Sequence, residues 1–324
     1  MTRVEDVSVV IRTYDSARWD DLAGAVASVR RQTALPREIV VVVDHNPDLL
    51  ARARTCLPDV IVVENADAQG ASGGMNSGIA AAHGAVVAFL DDDATATPDW
   101  LERLVQPYQD RLVLGVGGRI EPAWSGGRPS WFPAEFNWVV GCTFPGGFDA
   151  AGPVRSLIGA NMSFRRDIFE QLPWFRTGVG AVGKSLQKCE DTEFCIRVAQ
   201  RWPESVLFYE PQAMVFHRVP DGRASWHYFW SRCYAEGLAK AQVARLVGSQ
   251  HALASERKYA FRTLPQGLRR NLSDAVRHGD SAGMLRAGAI MAGLAITSAG
   301  YVAGTAAQRR RRRPAYSWRS PCAS

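Results

Sequence analysis

Cysteine is sparse in this chain of 324 residues and never closely paired: Cys56, Cys142, Cys189, Cys195, Cys233 and Cys322 include no Cys-x-x-Cys. The spacing of Cys189 and Cys195 around "EDTEF" fits no common zinc site, so ordinary packing and a reducing compartment are expected. No secretory segment stands at the start, where "MTRVEDVSVV" runs directly into a strand, and a cytoplasmic chain is expected. Acidic residues nearly vanish beyond residue 220. Residues 221–324 hold five Asp/Glu against 17 Lys/Arg, whereas residues 1–220 hold 27 Asp/Glu against 21 Lys/Arg. An acidic body thus carries a basic module that looks to an anionic partner. That module has no recognisable nucleic-acid reader fold, so an anionic membrane surface, and no nucleic acid, is the expected partner.

Hydrophobic residues at 47% and charged residues at 22% are those of a soluble globular protein, one large domain or a domain with an appendage. "VSVVIRTY" (7–14), "REIVVVVD" (37–44), "DVIVVEN" (59–65) and "AVVAFLDDD" (85–93) are short Val/Ile-rich runs ending in polar residues, which predicts buried parallel strands. Between the first two, "DDLAGAVASVRRQT" sets Leu22, Val26 and Val29 at helical spacing; between the last two, "GGMNSGIAAAHG" predicts a small-residue helix. The alternation predicts an α/β, doubly wound sheet with right-handed crossovers. In such sheets ligands bind beyond the carboxyl ends of the strands, where Asp44, Asn65 and Asp91 to Asp93 all fall.

Three adjacent carboxylates at the end of an apolar strand repel one another, and a cation resolves the conflict. Oxygen ligation by one or two carboxylates suits Mg²⁺ or Mn²⁺ shared with substrate phosphates. A solvated acidic loop before Pro98 would account for Asp92 and Asp99, but not for the apolar strand in front of them.

From about 112 to 220, strands alternate with loops rich in Gly, Pro and Trp. Trp124, Trp131, Phe132, Phe136 and Trp138 form either a small aromatic core or a wall for an acceptor. Beyond 221, Trp226, Trp230, Tyr234 and Leu238 recur at four-residue intervals opposite Arg232 and Lys240, which predicts an amphipathic helical face. Residues 287–308 carry no charge and precede "RRRRR" (309–313). They match a spanning helix in length, but twelve are Ala or Gly, so a helix lying on the membrane or the domain is expected, with the basic run at anionic headgroups.

"VVIRTYDSARWDDL", "VVVD", "ENADAQGASGGMNSGIAAAHG", "FLDDDATATPDWLERL", "GANMSFRR", "CEDTEFCIR" and "VFHRVP" occur in this order over roughly residues 7–220. In this ordered set the chain resembles the Asp-x-Asp glycosyltransferases of the GT-A fold, and among them inverting family 2. The resemblance implies a Rossmann-like mixed sheet flanked by helices, with 1–220 as catalytic domain. Within it, 1–110 would bind the nucleotide sugar and 111–220 the acceptor, and 221–324 would be a basic, amphipathic helical extension at the membrane.

The resemblance further implies a nucleotide-diphosphate sugar donor and Mn²⁺ or Mg²⁺. Donor contacts would come from Thr13, Asp44, Asn65, Gly70, Asn76, Asp91, Asp92 and Asn161, and metal ligands from Asp93, Asp91 and His217. "ED" opens an apparent helix whose Phe194 and Val198 face inward, and carboxylates in a first turn also suit the helix dipole. Family 2 uses a carboxylate of this motif as catalytic base, here Asp191 with Glu190 as the alternative. The preceding loop "TGVGAVGKSLQK" is expected to close over the acceptor. Arg12 stands where relatives carry Pro, and Met75 where many carry Arg. Asp44 favours a uridine nucleotide. The wording "VVVDHNP" and "FLDDDA", with the basic tail, is similar to enzymes that glycosylate polyprenyl- or dolichyl-phosphate-linked sugars, glucuronosyltransferases among them.

These readings converge on an enzyme at the inner face of the cell membrane with a polyprenyl-linked hydroxyl acceptor. The alternatives are a non-catalytic sugar-nucleotide or glycan-binding assembly protein and a glycosyltransferase acting on a soluble specialised metabolite. A sugar nucleotidyltransferase is disfavoured, because its Gly-rich loop with Arg and Lys is missing.

Overall fold

β-Branched residues shape the first half. The computed structural model describes residues 6–178, 186, 189–248 and 258–311, the side chains of 309–311 excepted. β1 (Val7–Thr13), β2 (Glu38–Val43), β3 (Ile61–Glu64) and β4 (Val86–Asp91) lie parallel in the order β3-β2-β1-β4. Helices follow the first three strands: α1 (Trp19–Arg30), α2 (Pro47–Cys56) and α3 (Ala71–Ala81). Both faces of β1, β2 and β4 are covered, which is why they read as continuous apolar runs; β3, expected to be buried, is instead an edge strand with Ile61 38% exposed, because it has a neighbour on one side only. Leu22, Val26 and Val29 of α1 pack in one buried cluster, Met75 and Ile79 of α3 in another. The small residues of α3 bring it close, since a side chain on Gly78 would run into Val10. α2 has no apolar run to announce it; its signal is a start signal, with Asn46 accepting from Leu49 N–H and Pro47 in the first turn.

The second half adds β5 (Ala94–Ala96), α4 (Trp100–Val105), β6 (Val113–Trp124), β7 (Gly152–Val154), β8 (Asn161–Arg165), α5 (Ile168–Gln171), α6 (Glu190–Arg201) and β9 (Val206–Val219). β8 enters antiparallel between β4 and β6, and β9 runs parallel to β6 and antiparallel to β5 and β7. The nine-stranded sheet is therefore mixed, in the order β3-β2-β1-β4-β8-β6-β9-β5 with β7 also on β9. Phe194 and Val198 of α6 are buried as predicted.

Three helices close the described chain: α7 (Trp226–Val247), α8 (Leu264–His278) and α9 (Ser281–Arg311). The predicted face of α7 is half open, with Tyr234 and Leu238 half-buried. Trp226 and Trp230 are 46% and 48% exposed, Phe229 and Cys233 point inward, and Arg232 is 5% exposed, ion-paired to Glu236 at 2.8 Å. The reason lies on α9, whose Ala/Gly composition lets the two backbones touch. Side chains on Gly237 or Gly300 would collide with the carbonyls of Thr297 and Tyr234. The four-residue spacing of aromatics does not mark the face packed on α9, which sets small residues beside Phe229. Phe229, Cys233, Leu264 and Ile290 share one buried cluster with Phe132, Phe136 and the strands. Phe132 and Phe136 each meet Phe229, with ring centroids 5.6 and 5.2 Å apart, so the aromatic stretch is a core between sheet and helices.

Candidate active site

The end of β4 delivers Asp91, and the turn into β5 delivers Asp92 and Asp93, both buried. β5 pairs with β9 so that Ala94 faces His217, and Arg218 N–H donates to Asp93 O at 2.8 Å. This register sets His217 Nε2 at 3.1 Å from Asp93 Oδ1 and 4.0 Å from Asp91 Oδ2. One ligand atom from each of the three residues lies within 4.8 Å of the other two. Gly141, at φ +81, gives the imidazole room: a Cβ there would stand 3.4 Å from the ring, on a backbone that L side chains rarely adopt.

Two carboxylate oxygens and an imidazole suit a divalent ion such as Mn²⁺. Asp93 Oδ1 supports the fit, being buried and without an aligned hydrogen-bond donor. Burial would raise the Asp93 carboxyl, but His217, Arg18 and Arg223 hold it well below the usual range. Burial raises Asp92 instead, against the pull of Arg18 and with the push of Asp93. His217, which burial alone would lower, is held up at about 10 by Asp93.

The sequence reading passed over the basic shell of this cluster. Arg12 stands 3.1 Å from Asp91; Arg18 is 2.6 Å from Asp92 and 2.5 Å from Asp93; Arg223 is 3.7 Å from Asp93. Their signal was position, since Arg12 and Arg18 sit at and just beyond the end of β1 and Arg223 follows β9. Arg12 also feels the charge of Glu190 and so links the metal-type cluster to the "ED" pair.

Asp191 and Glu190 open α6. Asp191 Oδ2 accepts from Gly159 N–H at 3.0 Å and Oδ1 from Thr192 N–H at 2.6 Å, while Glu190 accepts from Cys189 N–H at 2.9 Å. Burial, then the Glu190 charge, pushes the Asp191 carboxyl up to about 6 against those two donors. A carboxylate at that pKa takes a proton from a bound hydroxyl more readily than an ordinary Asp.

A second network gathers other predicted residues. Asp44 accepts from Asn65 Nδ2 (2.6 Å) and Gly70 N–H (2.9 Å) and hydrogen-bonds His45 (2.8 Å), tying the ends of β2 and β3 to the start of α3. Gly70 has φ +121, which requires glycine there. Asn76 spends its amide on Asp67 and on both backbone groups of Phe175. Asn161 is fully buried, accepting from Trp100 Nε1 and donating to Arg119 O and Ala213 O. These two amides fix backbone around the site and point into the protein. Thr13 adjoins Asp92, and Met75 lies in the core. The loop at 177–188 falls largely outside the described residues, as do the side chains of the basic run at 309–313.

The Glycosyl transferase family 2 pattern matches residues 8–173. The chain is 34% identical over 259 residues to the glucosyl-dolichyl phosphate glucuronosyltransferase of Haloferax volcanii, a match covering 79% of this chain and 81% of that protein. Among solved structures it is similar to the mannosyltransferase PcManGT of Pyrobaculum calidifontis in complex with GDP-Man and Mn²⁺. The TM-score is 0.55 at 18% identity, over 91% of this chain and 87% of that one. GalNAc-T7 with UDP, GalNAc and Mn²⁺ aligns at TM-score 0.52 and 20% identity over 74% of this chain, which spans 50% of that larger protein. Both likenesses show the GT-A fold.

Proposed function

Because the chain belongs to glycosyltransferase family 2, we propose that it is a metal-dependent, inverting hexosyltransferase. It moves a sugar from a nucleotide-diphosphate donor, a UDP-sugar foremost, to a hydroxyl of a polyprenyl-phosphate-linked sugar at the cytoplasmic face of the membrane. The observation that carries this reading is the trio of half-buried Asp91 with buried Asp93 and His217, together with the raised carboxyl of Asp191 at the head of α6. The lipid-linked acceptor rests on what the Haloferax volcanii relative is named for.

Asp91, Asp93 and His217 would hold Mn²⁺ or Mg²⁺, which supplies charge to offset that developing on the departing diphosphate. Asp191 takes the proton of the acceptor hydroxyl as that oxygen bonds to the anomeric carbon. The backbone donors at Gly159 and Thr192 fix its direction. One displacement inverts the anomeric configuration. The Asp44–Asn65–Gly70 network holds the end of β2 on the side where the nucleoside would sit.

The test is nucleotide-diphosphate release from UDP-, GDP- and dTDP-sugars with a short-chain polyprenyl-phosphate glycoside, in Mn²⁺, Mg²⁺ or EDTA. One donor is expected to turn over, with EDTA silencing it. Donor binding without turnover in any metal, across the acceptor panel, would point to the non-catalytic binder.

The described chain has one helix, Ser281–Gln308, long and apolar enough to cross a membrane. Its inner face is occupied by α7, while Met284, Leu285, Met291 and Val302 are exposed, as are Phe261 and Val276 nearby. That one-sided exposure on a basic module supports docking on, rather than through, an anionic bilayer. Full-length protein is expected to float with vesicles containing phosphatidylglycerol, and Leu285→Glu/Met291→Glu to lose about tenfold in partitioning. Wild type that stays unbound removes the membrane from the proposal.

A further inference from the structure

The three carboxylates already have counter-charges of the chain's own. Arg12, Arg18 and Arg223 stand within 3.7 Å of Asp91, Asp92 and Asp93, so each carboxylate already has a guanidinium beside it. The arrangement is lopsided at Asp93. Arg18 and Arg223 both address Oδ2, whereas buried Oδ1 has no aligned donor and faces His217. A divalent ion on that side adds two positive charges to a poorly hydrated group that already holds its own cations, and it repels the arginines. The diphosphate of a nucleotide sugar brings two negative charges and that of the free nucleotide about three, either of which offsets the added ion, and arginine is the side chain best shaped to hold phosphate oxygens.

Arg12 is less suited to supply that hold, because its backbone is fixed on β1 between β2 and β4 and its side chain pairs with Asp91. Arg18 and Arg223 are better placed. Each sits on a short turn, Ser16–Arg18 and Asp221–Ala224, and their side chains are 19% and 23% exposed, whereas those of Asp92 and Asp93 are 4% and 6% exposed. With Arg12, at 27%, they are the water-accessible cations of the cluster, and they alone stand on turns.

Building on the donor reading above, we infer that Arg18 and Arg223 are exchange cations. Without donor they hold Asp92 and Asp93; when metal and donor enter, they let go of the carboxylates and grip the diphosphate. They are positioning residues for the donor and, in its absence, internal competitors of the metal.

The test uses full-length protein and two titrations with opposite expected signs. Mn²⁺ alone is titrated calorimetrically into wild type, Arg18→Gln, Arg223→Gln and Arg18→Lys, followed by UDP at saturating Mn²⁺, with uridine and inorganic phosphate as controls. Arg18→Gln is expected to bind Mn²⁺ alone about fivefold more tightly, because a competing cation has gone, and UDP about tenfold more weakly, with uridine unchanged. Arg223→Gln should move both affinities in the same directions by less, and Arg18→Lys should recover part of each.

A purely structural role lowers both affinities together, and that result overturns the inference. Equal Mn²⁺ affinity in all variants overturns it as well. If circular dichroism shows Arg18→Gln unfolded, Arg223→Gln and Arg18→Lys decide by the same signs. Loss of phosphate binding with UDP binding intact would assign the arginines to an acceptor phosphate and overturn the donor role. A wild type that binds Mn²⁺ but no nucleotide diphosphate defeats the donor reading and the diphosphate half of this inference. The Mn²⁺ titrations still decide the competition at the carboxylates.

Discussion

Asp191→Asn is expected to lower kcat for transfer by about 10³-fold while leaving Mn²⁺ and nucleotide affinity unchanged. The carboxylate is held by Gly159 and Thr192 N–H groups, and the Asn side-chain oxygen can keep one of those bonds, so the local backbone should survive. In the wild type, kcat should fall tenfold per pH unit below about 6, where burial and Glu190 place the Asp191 pKa. The sign for stability runs the other way. The folded-state pKa lies above the unfolded value, so this group's contribution is full below the unfolded pKa and is lost as pH rises through about 6. A neutral Asn escapes that loss, and at pH 7 the variant should melt a few degrees higher, about 1–2 kcal/mol. Lost turnover with gained Tm separates a missing base from a damaged fold. Near-normal turnover in Asp191→Asn, or a flat wild-type profile down to pH 4.5, moves the base elsewhere, with Glu190 next in line.

The second large effect is expected at Asp93. Asp93→Asn keeps the volume but removes the charge that faces His217, Arg18 and Arg223 at once. Metal affinity, read by Mn²⁺ electron paramagnetic resonance, should fall at least about 10²-fold, and kcat/KM about 10²- to 10³-fold. Because burial is overcome and the Asp93 pKa is held low, its contribution to stability is present above the unfolded pKa and lost as pH falls through the folded one. The metal-free variant should therefore melt below the wild type at pH 7, with the gap narrowing in acid. Mn²⁺ affinity within twofold of wild type would remove Asp93 from the ligand set.

The first half of the fold was legible because period and composition agreed there. Four Val/Ile runs, each followed by a polar turn, gave four parallel strands within two residues of their bounds. The acidic cluster and His217 were legible as residue types in an ordered set, and β5–β9 pairing brought them together across more than a hundred residues. What was hidden is what depends on partners. The face of α7 packed on α9 sets Gly237 and Cys233, which have little bulk, beside Phe229, so the exposed Trp226 and Trp230 outweighed it in the sequence. Repulsion among Asp91, Asp92 and Asp93 calls for a cation, and Arg12, Arg18 and Arg223 already supply charge there. Each lies in a segment that looked like an ordinary turn or strand end. Asn161 matched a motif, yet its amide is spent on Trp100, Arg119 and Ala213. A motif gives the residue's neighbourhood, and the hydrogen bonds give its direction.

The core shared by Phe132, Phe136, Phe229 and Ile290 makes the metal-type cluster and the outward face of α9 parts of one body. β9 carries His217 and ends at Val219, and α7 starts at Trp226, so little slack separates the site from the helices below it. Under the docking proposed above, such a body would act as a ruler. The depth to which α9 sank would fix the height of Asp191 above the headgroups. Acceptors would then be sorted by how far their reactive hydroxyl projects from the lipid, and one sugar more or less in the stalk would change whether it reached the proposed base.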